Sequence, residues 1–190
     1  MSKNLPQKLA TFLGPVLALI IFVVITLTYI RSHFTAHPNQ DGSRVELAVG
    51  KILPVFDLTS FSTHRAISIA EVPAKVIVLN FWATWCDACM EEMPSLARLR
   101  ERYASAGLEV IGVNLDENPE LVVDKTVKKY GIKFPLFKDV DGKLSDLFDV
   151  HAIPSTFVFD KSRKILYIKE GGQDWFSQEV NQLMDEWLSR

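Results

Sequence analysis

The stretch NFWATWCDACMEEMP, residues 80–94, holds the only two cysteines of the chain, Cys86 and Cys89. Two thiols spaced C-x-x-C can cycle between dithiol and disulfide, supply half of a metal site, or lie inert in a core. Zinc would need two further ligands. The histidines are His33, His37, His64 and His151, and none inside the folded region has another at helical spacing. No metal ligand is therefore assigned. Two inert cysteines at this spacing, where a strand gives way to a helix, would be a coincidence. The redox reading uses every residue present. A helix starting near Cys86 turns backbone N–H groups toward its sulfur and favours the thiolate. Cys89 follows one turn later, on the same side and deeper. Cys86 is thus the expected attacking thiolate and Cys89 the resolving thiol. No bound cofactor is required.

Elements on either side must hold this pair in place. The continuous apolar run at 76–81 (VIVLNF) has the pattern of a buried central strand. A helix is expected over 87–104, interrupted by Pro94. Further strands are expected at 55–58, 108–115 and 135–137, and a single helical turn at 67–71. A helix at 119–130 has Pro119 in its first turn and Gly131 past its end. A short helix follows at 143–148. Residues 155–160 and 164–169 read as an antiparallel hairpin. An amphipathic helix closes the chain at 174–188, with Trp175, Val180, Leu183, Met184 and Trp187 for the core. Strand–helix–strand order implies parallel pairing in the first half, and the hairpin adds antiparallel pairs. The expected class is α/β, a mixed central sheet flanked by helices.

Periodicity singles out Glu92. At about 100° per residue it shares a stripe with Cys89, Leu96, Leu99 and Tyr103. Glu91 instead falls with Ser95, Arg98 and Arg102 on an expected solvated face. A partly buried carboxylate has a raised pKa and can pass protons near neutral pH. A helix-surface glutamate is the alternative. Asp87, between the cysteines, sets a carboxylate against the thiolate and opposes the pull of the helix start. His151 is either a contact on the rim or an exposed loop histidine.

The first residues bear on compartment. Residues 9–30 (LATFLGPVLALIIFVVITLTYI) carry no charge. As a helix they would span about 33 Å, enough for a hydrocarbon core of roughly 30 Å. A cleaved signal peptide is the competing reading, with an apolar region of about 7–15 residues and a small-x-small site. This run is longer, and a cut after Ala36 puts Phe34 where a small residue belongs. The expected organisation is a cytoplasmic tail at 1–8, a transmembrane anchor at 9–30, a linker at 31–48 and a folded domain at 49–190. Lys3 and Lys8 precede the span and Arg31 follows it, which puts the domain outside the cytoplasmic membrane, on the periplasmic or extracellular side. As a flexible coil, the linker reaches on the order of 20–25 Å. Net charge is −2. With no basic excess to neutralise phosphates, nucleic acid is excluded as a partner.

W-C-x-x-C after an apolar strand, a proline-bearing helix, and Ile153-Pro154-Ser155-Thr156 before a hairpin resemble the thioredoxin fold. NFWATWC, the E-x-P at Glu92 to Pro94, the segment 112–136 and the anchor narrow the likeness. The chain is similar to the TlpA/ResA-like family of membrane-tethered thioredoxin-like proteins over residues 50–188. The resemblance implies a thioredoxin fold with an N-terminal strand extension and a central insertion. It implies that Pro154 is cis and lies against the cysteines, with Trp85, Ile153 and Pro154 meeting substrate. It also implies a glutamate near the thiols at Glu92, where general thioredoxins bury an aspartate at the position held here by Asn80.

The resulting expectation is a tethered thiol–disulfide oxidoreductase that reduces disulfides of substrate proteins. The resemblance implies a transmembrane thiol donor of the CcdA or DsbD type, and substrates such as apocytochrome c haem-site cysteines or copper-site assembly proteins. An oxidase or isomerase reverses the direction, and a non-catalytic redox-sensing binding module removes turnover. A peroxidase pattern, P-x-x-x-T-x-x-C, would need proline at 79 and threonine at 83, where the chain has Leu79 and Ala83. The position of Asp87 predicts that Cys86, titrated by the pH dependence of its alkylation, ionises above the most acidic end of the cysteine range. A pKa of about 3.5, as at that acidic end, would contradict the reading.

Overall fold

The computed structural model describes residues 21–26, 47–61 and 63–190. The compact unit that carries the cysteines is Val45–Arg190. Its elements are β1 (Asp57–Ser60), β2 (Ala66–Ser68), a 3-10 turn (Ile69–Glu71), β3 (Val76–Trp82), α1 (Asp87–Tyr103), a second 3-10 turn (Ala104–Ala106) and β4 (Leu108–Asn114). There follow α2 (Pro119–Tyr130), β5 (Leu136–Lys138), α3 (Lys143–Leu147), β6 (Ser155–Asp160), β7 (Ile165–Glu170) and α4 (Gln178–Leu188).

β3 is buried along its whole length because it lies inside the sheet. The strand order is β2-β1-β5-β4-β3-β6-β7. β3, β4 and β5 run parallel, whereas β6 is antiparallel to β3 and β7, and β1 is antiparallel to β5 and β2. Alternation along β3 separates two cores. Val76, Val78 and Trp82 meet Cys89, Met93 and Leu96 of α1, Val123 of α2 and Met184 of α4. Ile77, Leu79 and Phe81 meet Leu144 and Phe148 near α3, with Leu53 and Phe56 from the entering segment. Asn80 occupies a position of the first set, so its amide points toward α1.

The expected strand at 55–58 starts two residues later, at Asp57. The turn expected at 67–71 is half strand: Ala66–Ser68 pairs with β1, and only Ile69–Glu71 is helical. Ser68 ends the strand by accepting from Ala70 N, while Glu71 reaches back to Ser68 N, a reciprocal cap that fixes the helical start. The last helix begins at Gln178 rather than 174, because Ser177 is its N-cap and accepts from Val180 N. Trp175 is buried but stands in the loop before that helix.

The anchor expected at 9–30 lies outside the described residues except for 21–26, which are helical. Among the described residues no helix is long and apolar enough to cross a membrane. Of the linker expected at 31–48, only Leu47 and Ala48 are described, and Leu47 packs against the second core.

Gly112 marks where β4 passes closest to its neighbours. A Cβ there would stand 2.7 Å from Leu136 Cδ2, 3.0 Å from Trp82 Nε1 and 3.1 Å from Phe134 Cε2. Overpacking of this kind costs about 1–3 kcal/mol. Gly112→Ala should therefore lower the unfolding free energy by that amount, read in equilibrium unfolding as a lower urea midpoint at unchanged slope.

Candidate active site

β3 ends at Trp82, and a short loop carries the chain into α1. Cys86 N donates to Ala83 O (3.2 Å), and Cys86 becomes the N-cap of α1. Its sulfur accepts from Cys89 N at 3.2 Å. The N–H groups of the first helical turn have no intrahelical acceptor, so a sulfur placed here carries negative charge at low cost. Cys86 and Cys89 are joined as a disulfide. Cys86 is 8% exposed and Cys89 is 0% exposed, so an incoming group meets Cys86 first.

The loop is held from the side by Asp116, which follows β4. Its carboxylate accepts from Thr84 N (3.0 Å), Thr84 Oγ1 (2.8 Å) and Asn114 Nδ2 (2.7 Å). Across from the loop, the Ile153–Pro154 bond is cis. Ile153 O lies 3.7 Å from Cys86 Sγ, and Pro154 is buried where β6 begins. Trp85 is 69% exposed beside the disulfide. Cys86, Trp85, Ile153 and Pro154 thus share one rim. His151 is exposed, with Nε2 3.2 Å from Asp149 Oδ1. Among the described residues no three His, Cys, Asp or Glu side chains gather as a metal site.

Glu92 lies in the core, on the buried stripe of α1 with Cys89, Leu96, Leu99 and Tyr103. Oε1 accepts from Asn80 Nδ2 at 2.7 Å. Oε2 accepts from Trp175 Nε1 at 3.1 Å and from Gln173 N at 3.2 Å. The asparagine amide also donates to Thr156 Oγ1 (2.9 Å), tying β3, α1 and β6 together. Burial raises the Glu92 pKa above its ordinary value, and the hydrogen bonds from Trp175, Asn80 and Gln173 pull the other way without overcoming it. A groove of about 440 Å³ beside the carboxylate is lined by Ala88, Glu91, Gly172 and Asp174.

Ser95 departs from the solvated face expected for it. It is buried, its hydroxyl donates to Glu92 O (2.7 Å) and accepts from Trp175 N (3.0 Å). Glu91 and Arg98, expected on the same face, do line the open groove. The sequence reading did not connect Asn80, Gln173 or Trp175 to Glu92, nor Asp116 to the cysteine loop. The one local hint was Asn80 itself, a polar residue inside an apolar run.

A model of the AhpC/TSA family matches residues 49–168. The chain belongs to the AhpC/TSA family. It is 33% identical over 138 residues to the thiol-disulfide oxidoreductase ResA of Geobacillus kaustophilus, covering 73% of this chain and 78% of that one. Among solved structures, a putative thiol:disulfide interchange protein DsbE from Chlorobium tepidum matches with a TM-score of 0.67 at 24% identity, over 75% of this chain and 99% of that one. StoA from Bacillus subtilis matches with a TM-score of 0.57 at 25% identity, over 72% and 97%. The fold is the thioredoxin-like one. The chain is a thiol–disulfide oxidoreductase, with Cys86 and Cys89 as its C-x-x-C pair.

The raised Glu92 pKa fixes the sign of a pH effect. A carboxyl whose folded pKa lies above its unfolded value stabilises the fold fully only below the unfolded value, about 4.3, and loses that contribution as pH rises through the folded value. The oxidised protein should therefore lose stability over that window relative to Glu92→Gln, as denaturant melts across pH will show. Trp175→Phe removes a donor to a charged acceptor, worth about 1.5–3 kcal/mol. It should move the window to higher pH; a window that moves down would refute the hydrogen-bond account.

Proposed function

We propose that the protein is a membrane-tethered reductase of substrate disulfides, working on the extracytoplasmic side. The observation that carries the reading is a Cys86 sulfur at a helix start, the less buried of the pair, with Cys89 fully buried one turn from a carboxylate whose charged form is disfavoured. In the reduced enzyme, Cys86 thiolate attacks one sulfur of a substrate disulfide and expels the other as a thiolate. A mixed disulfide results. Cys89 then gives its proton to Glu92, attacks Cys86 Sγ and expels the second substrate thiolate. Two electrons pass to the substrate, and the enzyme leaves as the Cys86–Cys89 disulfide. Glu92 handles this proton because burial raises its pKa above the ordinary carboxylate value and so makes it a better proton acceptor. Trp85 and the backbone of Ile153 border the sulfur and are the surfaces offered to substrate, with Pro154 beneath them.

Two features favour reduction over oxidation. A carboxylate near Cys89 and another on Asp87 both disfavour thiolates by charge. A thiolate that is a poorer leaving group belongs to a more reducing couple. Re-reduction requires a thiol donor that brings electrons across the membrane, of the CcdA or DsbD type. The substrate class is proteins whose cysteines must be thiols before metal or haem insertion, in cytochrome c maturation or copper-site assembly. Residues 9–30 supply the tether. The ResA relatives support the chemistry, and the DsbE and StoA likenesses support the fold.

Equilibration with a dithiothreitol couple should give a potential near about −270 mV or lower; one near −120 mV would make the protein an oxidant. Cys89→Ser should accumulate a mixed disulfide through Cys86, releasable by dithiothreitol and identifiable by mass spectrometry. Glu92→Gln should slow resolution on the order of 10²-fold at neutral pH.

A further inference from the structure

The end of the sheet remote from the cysteines carries a basic cluster that disulfide exchange does not use. β6 begins beside Pro154 and ends at Asp160, so its 6 residues separate the two ends by about 20 Å. The turn into β7 presents Lys161, Arg163 and Lys164. Lys161 N donates to Lys75 O at 3.0 Å, and Lys75 Nζ donates to Leu188 O at the end of α4 (3.3 Å). Lys75, Lys161 and Arg190 border a cavity of about 330 Å³, with Leu166 and Trp187 as its apolar wall. Two carboxylates lie among these cations. Asp160 is engaged by Ser162 N, Ser162 Oγ and Lys164 N, and Glu186 pairs with Arg190. The cations Lys75, Lys161 and Lys164 are exposed.

The polypeptide enters the domain at this same end. Leu53 N donates to Arg163 O (2.9 Å), and Gly50 N donates to Ile165 O (2.7 Å). On that entering segment Val49 and Ile52 hold their side chains 64% and 63% exposed. Cations, a tryptophan and exposed aliphatic side chains at one end of an otherwise acidic chain are the composition of a surface that meets anionic lipid.

We propose that the β6–β7 hairpin end docks on an anionic phospholipid surface, so that the Cys86 rim faces away from the bilayer. The proposal rests on the tethered reading above. Under that reading the tether joins the domain at its entry end and keeps that end near the bilayer. Attraction between Lys75, Lys161, Lys164 and lipid phosphates then selects one orientation of the domain.

The test uses the full chain, Cys86→Ser and Cys89→Ser, carrying a fluorophore on Ser162→Cys or, separately, on Asp87→Cys. Each is reconstituted into vesicles of phosphatidylcholine alone or mixed in equal parts with phosphatidylglycerol, with a headgroup spin-labelled lipid as quencher. The Ser162 label should be quenched several-fold more in the anionic vesicles, and the Asp87 label equally little in both. Lys161→Glu with Lys164→Glu, or high salt, should abolish the difference. Equal quenching at Ser162 in both lipids, or stronger quenching at Asp87, overturns the docking. Flotation separates this from the tether. A chain that floats with neutral vesicles but shows no lipid-dependent quenching keeps its tether and loses its docking face. A chain that does not float with neutral vesicles has no tether. Docking then survives only if that chain floats with the anionic vesicles.

Discussion

The structure turns on one buried carboxylate held by three donors. Asn80 reaches Glu92 from β3, and Gln173 and Trp175 reach it from the loop between β7 and α4. The donors come from two distant parts of the chain, so the carboxylate on the cysteine helix joins the central strand to the closing loop. Burying a charge is costly unless it is paired or hydrogen-bonded, and among the described residues no cation makes a direct pair with it, Lys169 acting only at a distance. The three hydrogen bonds offset part of that cost. The rest appears as a raised pKa, and a group poised in that way can exchange a proton on demand.

The same helix treats its two sulfurs differently. Cys86 caps the helix and takes an N–H from Cys89, which stabilises charge on the outer sulfur. Cys89 lies inside an apolar core with Met93 and Leu96, on the same buried stripe as Glu92, where charge is disfavoured. An outer thiolate and an inner thiol are what sequential attack and resolution require. Asp116 and Ile153 complete the arrangement from opposite sides, one anchoring the loop before Cys86 and the other setting a carbonyl against its sulfur. Such support from fixed elements keeps the reacting sulfur in place without relying on the loop itself.

Much of this was readable in the sequence because it is local. The spacing of Cys86 and Cys89, the apolar run into β3 and the stripe shared by Cys89 and Glu92 all lie within one short stretch of the chain, residues 76–92. What escaped was long-range. Trp175 stands 83 positions from Glu92, and Asp116 stands 32 from Thr84. Nothing in the residues near 175 distinguishes a core tryptophan from one that also donates to a buried acid. Ser95 was misplaced for a related reason. Helical periodicity put it with Glu91, but a backbone N–H from Trp175 supplied the partner that let its hydroxyl be buried. The turn expected at 67–71 overlaps β2, because Ala66, Ile67 and Ser68 find partners on β1, a long-range pairing that no local pattern announces.

The central claim is that Glu92 is a charge-averse acid coupled to the cysteine pair. The most direct measurement is a carbon-13 NMR titration of the Glu92 side-chain carboxyl in the full chain, in the disulfide and dithiol states. The account predicts a midpoint above the ordinary glutamate range in both states, displaced between them because a titrating thiol stands nearby. A midpoint at about 4.3, unmoved by reduction, would contradict it.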